Sequence, residues 1–199
     1  MVRKVQGVGI NDADYSVVKH EIVGNRKWRI VWRCPFYTKW AEMMRRCYSA
    51  NRSESYRDAS VCESWWYFSN FRSWMESQEW VGKELDKDLI IRGNKVYGPE
   101  TCIFIEKDVN SFITEAKNKN GDLPVGVSFE NYTGRYKAVI ADKNKQITIG
   151  RYDTPEEAHQ AWLTCKRKLA KILAEQQDDP RVAEALIKRY ENYSEENKQ

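Results

Sequence analysis

A chain of 199 residues is long enough for one ordinary domain or two small ones, and 41% hydrophobic with 31% charged content fits a folded protein rather than a disordered one. No apolar run approaches the roughly 20 residues that span a bilayer, and the opening MVRKVQGVGIND lacks the apolar stretch of a secretory signal. A net charge of +4 is compatible with nucleic-acid binding without requiring it.

The expected setting is therefore the cytoplasm, with no membrane partner and the five cysteines as reduced thiols. Charge is unevenly spread. Residues 19–33 hold five Lys or Arg against one Glu, whereas residues 175–199 hold seven acids against four bases. Seven of the eight tryptophans precede residue 81, so the first half is expected to own the dense core.

In chain order, residues 1–18 show no period and read as an extended lead. KWRIVWRC (27–34) alternates as a strand, with Trp28, Ile30 and Trp32 on one side and Arg29, Val31 and Arg33 on the other. Tryptophans at period two more often pack than stack on bases, so these are expected in a core. Arg26, Lys27, Arg29 and Arg33 are left as candidates for phosphate. Pro35 ends the strand. FYTKWAEMMRRCY then sets Phe36, Trp40, Met43, Met44 and Cys47 at helical spacing, with Arg45 and Arg46 away from that stripe as further candidates for phosphate. SWWYFSNFRSWMESQ reads as a second amphipathic helix. LDKDLIIRGNKVYGPETC (85–102) reads as a hairpin turning at Gly93-Asn94, and EKDVNSFITEA as a short helix.

KNKNGDLP (117–124) is the expected linker between a first domain, 34–116, and a second, 125–174. The lead and strand (1–33) precede them, and a C-terminal helix with an acidic tail (175–199) follows. Beyond the linker, VGVSFEN, RYKAVIAD and QITIGRYD alternate as three strands. Asp153 or Thr154 as cap, with Pro155 and two early glutamates, then opens a helix. Period two puts Val127, Phe129, Tyr136, Ala138, Ile140, Ile147 and Ile149 toward that helix. The open side is Ser128, Glu130, Lys137, Val139, Ala141, Gln146 and Thr148.

The run GVSFENYTGRYKAVIADKNKQITIGRYDTPEEAHQAW resembles the plant Apetala-type (ethylene-response-factor) DNA-binding domain. The resemblance implies a three-stranded antiparallel sheet backed by one helix, with the sheet in the major groove. Base readout wants fork-shaped donors, and the open side offers only Lys137, with Glu130 opposing phosphate. Arg135, Lys143, Lys145 and Arg151, at turns and edges, are expected to hold phosphates without reading sequence.

Residues 34–115 resemble phage-encoded His-Asn-His endonucleases of the His-Me finger group. The carriers are W-x-x-M-x-x-R-C-Y (Trp40 to Tyr48), V-C-x-x-W (Val61 to Trp65), F-x-x-F (Phe68 to Phe71) and the 85–102 hairpin. In that family a histidine on the first strand deprotonates water and an asparagine on the second orients it. A residue on the next helix helps hold a divalent metal. Carried over, the base position falls on Lys87, the orienting position on Thr101 and the helix ligand on Asn110, with Asp86 and Asn110 as oxygen ligands for Mg²⁺. A lysine is ordinarily protonated at neutral pH and serves phosphate better than base chemistry. Of the two histidines, His20 lies in the basic lead and His159 on the expected second-domain helix. Cys34, Cys47, Cys62 and Cys102 have no C-x-x-C knuckle and would hold structural zinc only if the fold gathers them; buried thiols are the plainer reading.

The expected class is α+β: a small His-Me-finger-like domain of helices plus a β-hairpin and helix, followed by a three-stranded antiparallel sheet packed on a helix. Three functions stay open. One is a DNA-binding relative of homing-type endonucleases, weakly active or inactive in cleavage. Another is a metal-dependent nickase, and the third a phage protein that binds and inhibits a host protein.

Overall fold

The computed structural model describes residues 4–23, 27–114, 123–142 and 145–193. Arg26, Lys143, linker residues 117–122 and tail residues 194–199 lie outside them, and for Lys27 and Lys145 only the backbone is described. The architecture is α+β, in two units, Met1–Phe104 and Ile105–Gln199.

The first unit is built on aromatic packing. The described part of the lead belongs to it: Val5 bridges Gly9, Ile10 bridges Tyr67, and Val5, Val8, Ala13 and Tyr15 pack on the core. Two strands follow, β1 (Val18–Val23) and β2 (Lys27–Arg33), paired antiparallel as a ribbon. Buried Val17 and Cys34 root its base, the Cys34 N–H donating to the Val17 carbonyl at 2.9 Å. Pro35 then starts α1 (Pro35–Tyr48), where its missing N–H costs nothing. This helix buries Trp40, Met43, Met44 and Cys47, the expected stripe.

The second amphipathic stretch is broken. A 3-10 turn (Glu63–Trp66) precedes α2 (Phe68–Glu76), with Tyr67 extended between them. Trp65, Phe68, Phe71 and Met75 are nonetheless all buried. Trp40 donates its indole N–H to the Trp65 carbonyl at 2.7 Å, tying α1 to the 3-10 turn. Tyr67 supplies no side-chain cap to α2. Asp12 does so from the lead, accepting the Ser69 N–H at 2.9 Å and the Ser69 hydroxyl at 2.5 Å. Short strands complete the unit. β3 (Ser60–Val61) pairs in parallel with β5 (Val96–Tyr97). β4 (Glu84–Asp86) pairs with β6 (Ile103–Ile105), the strand in which the chain passes into the second unit.

That passage lies ahead of the expected linker, and α3 (Lys107–Ile113) belongs to the second unit. The reason is capping. A helix end leaves carbonyls without intrahelical partners. Here the Phe112 carbonyl accepts from Lys166 Nζ at 2.6 Å and from the Tyr190 hydroxyl at 3.3 Å, and the Ile113 carbonyl from Arg189 at 3.2 Å. Cations at a helix C-terminus also meet the negative end of its dipole. These donors lie on α4 (Pro155–Ala174) and α5 (Pro180–Glu191), capped at their starts by Thr154 and Asp179.

The sheet of this unit is β7 (Val127–Glu130), β8 (Arg135–Asp142) and β9 (Lys145–Tyr152), antiparallel in that order. Val127, Ala138 and Ile140 pack with Ala158, Trp162 and Leu163 of α4. Phe129 and Ile147, expected toward the helix, are 45% and 48% exposed. Gly126 enters β7 with φ +78°, and a Cβ there would lie 2.1 Å from the Trp162 ring, so the backbone runs directly over the indole. Among the described residues, no helix is long and apolar enough to cross a membrane.

Candidate functional site

The hairpin segment places Asp86 and Lys87 side by side and uses both in local structure. One Asp86 oxygen accepts the N–H groups of Asp88 at 2.9 Å and Leu89 at 2.6 Å, which turns the chain out of β4. Burial above all, then the charge of Asp88, push the Asp86 carboxyl above its ordinary range, against the pull of these N–H groups and Lys87. Lys87 is buried. Its ammonium pairs with Asp88 at 3.3 Å and lies 5.9 Å from the centre of the Tyr97 ring. The slot that resemblance assigns to a base therefore holds a paired cation.

Thr101 donates its hydroxyl to the carbonyls of Val96 at 2.7 Å and Gly98 at 3.3 Å, inside its own turn. Asn110 sits on α3, in the other unit. Sequence reasoning missed Asn94. Its amide donates to the Lys87 and Val96 carbonyls, each at 2.7 Å, and so fixes the backbone that carries Lys87. The Gly93-Asn94 dipeptide was a turn signal, and the side chain's second task had no signature.

The two histidines lie on other elements. His20 stands on β1, edge-on to Trp28 at 6.3 Å. His159 is buried in the second unit, with Nδ1 2.8 Å from the Val125 carbonyl and its ring stacked on Trp162.

Among the described residues, no group of three or more His, Cys, Asp or Glu side chains is placed to hold a metal ion. Cys34, Cys47 and Cys102 are buried in the first unit's core and Cys62 is half-buried. Burial pushes the Cys47 thiol up to about 11 and the Cys102 thiol up to about 12, which disfavours the thiolates that zinc requires.

The ribbon departs most from expectation. Instead of facing a core, Trp28 is 69% exposed and Trp32 39%. The register explains where they point. Ile22 pairs with Trp28 and His20 with Ile30, but Lys19 pairs with Trp32, leaving Val31 as the extra residue of a bulge. Directly paired residues share a face. One face thus carries Val18, His20, Ile22, Trp28, Ile30 and Arg33, and the other Lys19, Glu21, Val23, Arg29 and Trp32. Side-chain contacts agree, with His20 against Trp28 and the Lys19 ammonium 5.4 Å from the Trp32 ring centre. Both faces are exposed from Lys19 outward. Among the described residues, no salt bridge engages Lys19, Arg29 or Arg33, even though Glu21 is the cross-strand neighbour of Arg29. Arg45 is exposed on α1, while Arg46 is half-buried over the Tyr56 ring at 5.9 Å.

A second bulge changes the sheet. Ala138 pairs with Gly150 and Val139 with Thr148, so Ile149 is unpaired and Arg151, opposite Lys137, joins the open side. Arg151 thus joins Lys137 on that side, and both are committed. Glu130 accepts Arg151 at 2.8 and 3.2 Å, Lys137 at 3.4 Å and the Thr133 hydroxyl at 2.8 Å. The Arg151 guanidinium is the main reason its carboxyl is held down to about 2. Arg135 pairs with Asp153 at 2.9 Å. Among the described residues, Arg135, Lys137 and Arg151 of the sheet meet carboxylates, whereas Lys19, Arg29 and Arg33 of the ribbon are in no salt bridge.

Comparison with protein families, with curated proteins and with solved structures finds no match for this chain.

Proposed function

We propose that this protein binds nucleic acid and does not hydrolyse it efficiently. One observation carries the reading: an exposed ribbon that joins Trp28 and Trp32 to the cations Lys19, Arg29 and Arg33, none of them in a salt bridge among the described residues. Exposed indoles beside unneutralised cations suit a ligand that offers both π-faces and phosphates. The resemblance to phage homing-type endonucleases joined to an Apetala-type domain points to DNA and to the cytoplasm of a bacterial host.

The hairpin supplies no proton acceptor of the kind hydrolysis requires. Water activation needs a proton acceptor near the scissile phosphate. Lys87 is buried against Asp88 instead, and Asp86 spends an oxygen on its own turn. If Mg²⁺ binds, Asp86 and Asn110 are the residues that resemblance assigns to it. The nickase and the host-protein inhibitor remain the competing readings, and no contact in the fold favours either over binding.

The test is fluorescence anisotropy of a labelled duplex at several salt concentrations with Mg²⁺ present, the same samples then run on a denaturing gel. The reading expects binding that weakens steeply with salt, through counterion release, and an uncut strand. No binding at low salt, by the duplex or by its separated strand, overturns it. Divalent-dependent nicking that disappears in Asp86→Ala would establish the enzyme instead.

A further inference from the structure

The two exposed tryptophans do not form one platform. The bulge at Val31 sends Trp28 to one side of the ribbon and Trp32 to the other, and each side has its own cation, Arg33 with Trp28 and Lys19 with Arg29 beside Trp32. Apolar surface is exposed on both sides: Ile22 at 63% beside Trp28, Val23 at 43% on the face of Trp32. A partner that covers one side leaves the other indole in water. A flat protein surface does this, and so does a ribbon laid along a groove with one face to the base edges.

A ligand that supplies two surfaces, each with stacking faces and phosphates, fits both sides at once. A duplex opened into two single strands is such a ligand. An intact duplex is not, because its bases are stacked about 3.4 Å apart along each strand, whereas a sheet layer with its side chains is about 10 Å thick. The ribbon enters only where the strands already diverge.

We infer that the β1–β2 ribbon is a pin for branched DNA, seated at a duplex–single-strand junction with Trp28 stacked on one strand and Trp32 on the other. The inference rests on the nucleic-acid reading and deepens it. Cations on both faces hold the two backbones, and the ribbon's root at Val17 and Cys34 in the first unit's core anchors the pin.

The experiment compares three labelled DNAs of one sequence: a blunt duplex, a fork with two unpaired arms, and a single strand. Each is titrated with the full chain and with Trp28→Ala, Trp32→Ala and Trp28→Phe. Both tryptophans lie outside the core, and near-ultraviolet circular dichroism checks that each variant is folded. The fork is expected to bind at least about tenfold tighter than the duplex. Each alanine variant should lose about tenfold on the fork, the factor for one lost stacking contact, with little change on the duplex. Trp28→Phe, which keeps a ring, should retain most of the affinity.

Equal affinity for fork and duplex overturns the pin while leaving duplex binding, and so the broader reading, in place. Equal affinity for fork and single strand, or loss in only one alanine variant, overturns the two-sided arrangement. Failure to bind any of the three at low salt overturns both.

Discussion

Glu130 binds the Arg151 guanidinium through both carboxylate oxygens, at 2.8 and 3.2 Å, and in doing so offsets one positive charge on the open side of the C-terminal sheet. Lys137 joins the same carboxylate at 3.4 Å, so one buried acid occupies the cations of two strands. A surface that would otherwise attract phosphate is thereby quieted.

Releasing those cations gives the first prediction. Glu130→Gln keeps the side chain's shape and removes its charge. Duplex affinity should rise, and the slope of log affinity against log salt should steepen by about 0.9 for each phosphate newly held, one or two in all. An unchanged slope in a salt titration would show that this sheet does not meet the duplex.

The same carboxylate predicts an acid response. Its folded pKa of about 2 lies below the ordinary value of 4.5, so the stability it contributes is full above that value and is lost as pH falls toward 2. Asp12 adds to this: burial opposes ionisation, but the Ser69 hydroxyl and N–H prevail and hold the carboxyl below its ordinary value. Thermal melts from pH 6 to pH 2 should show a fall that is smaller in Glu130→Gln, which has no such proton to take up.

Asp86 has the opposite sign. Its folded pKa is raised, so its ionised form is disfavoured at neutral pH and that cost is relieved as pH falls. Asp86→Asn keeps an acceptor for the Asp88 and Leu89 N–H groups and should be neutral or stabilising at pH 7. Asp86→Ala orphans both and should cost about 1–3 kcal/mol by urea denaturation. Equal losses in the two variants would remove the turn as this residue's main task.

The capping of α2 from the lead is tested by Asp12→Ala, which should cost about 1 kcal/mol although it lies 57 residues from Ser69. Gly126→Ala should cost more, about 2 kcal/mol or above. It forces a left-handed φ on a substituted residue and drives a methyl into the Trp162 ring. Melting temperatures of the two variants would rank them.

Much of the architecture was legible because it is periodic or punctuated. The α1 stripe, the Thr154-Pro155 start of α4 and the three strands of the second unit all follow from spacing and capping chemistry. What escaped is what breaks a period. The bulges at Val31 and Ile149 each moved a side chain, Trp32 in one case and Arg151 in the other, to the face opposite the one alternation assigns. A bulge leaves no fixed residue signature, so period-two reading cannot see it. Exposure of the ribbon was hidden for another reason: alternating tryptophans look the same whether or not a second layer covers them. The lead's order was equally hidden, since Asp12 and Ile10 find partners more than fifty residues away.

The helix end at Phe112 and Ile113 carries a consequence for synthesis. Its carbonyls are held by Lys166, 54 residues later, and by Arg189 and Tyr190, 76 and 78 residues later. A ribosome delivers the whole first unit before any of these donors exists. The Phe112 carbonyl therefore gains Lys166 only once α4 emerges, and the Ile113 carbonyl gains Arg189 only once α5 does. A chain that stopped short of Tyr190 would keep its ribbon and its aromatic core yet leave that helix unfastened.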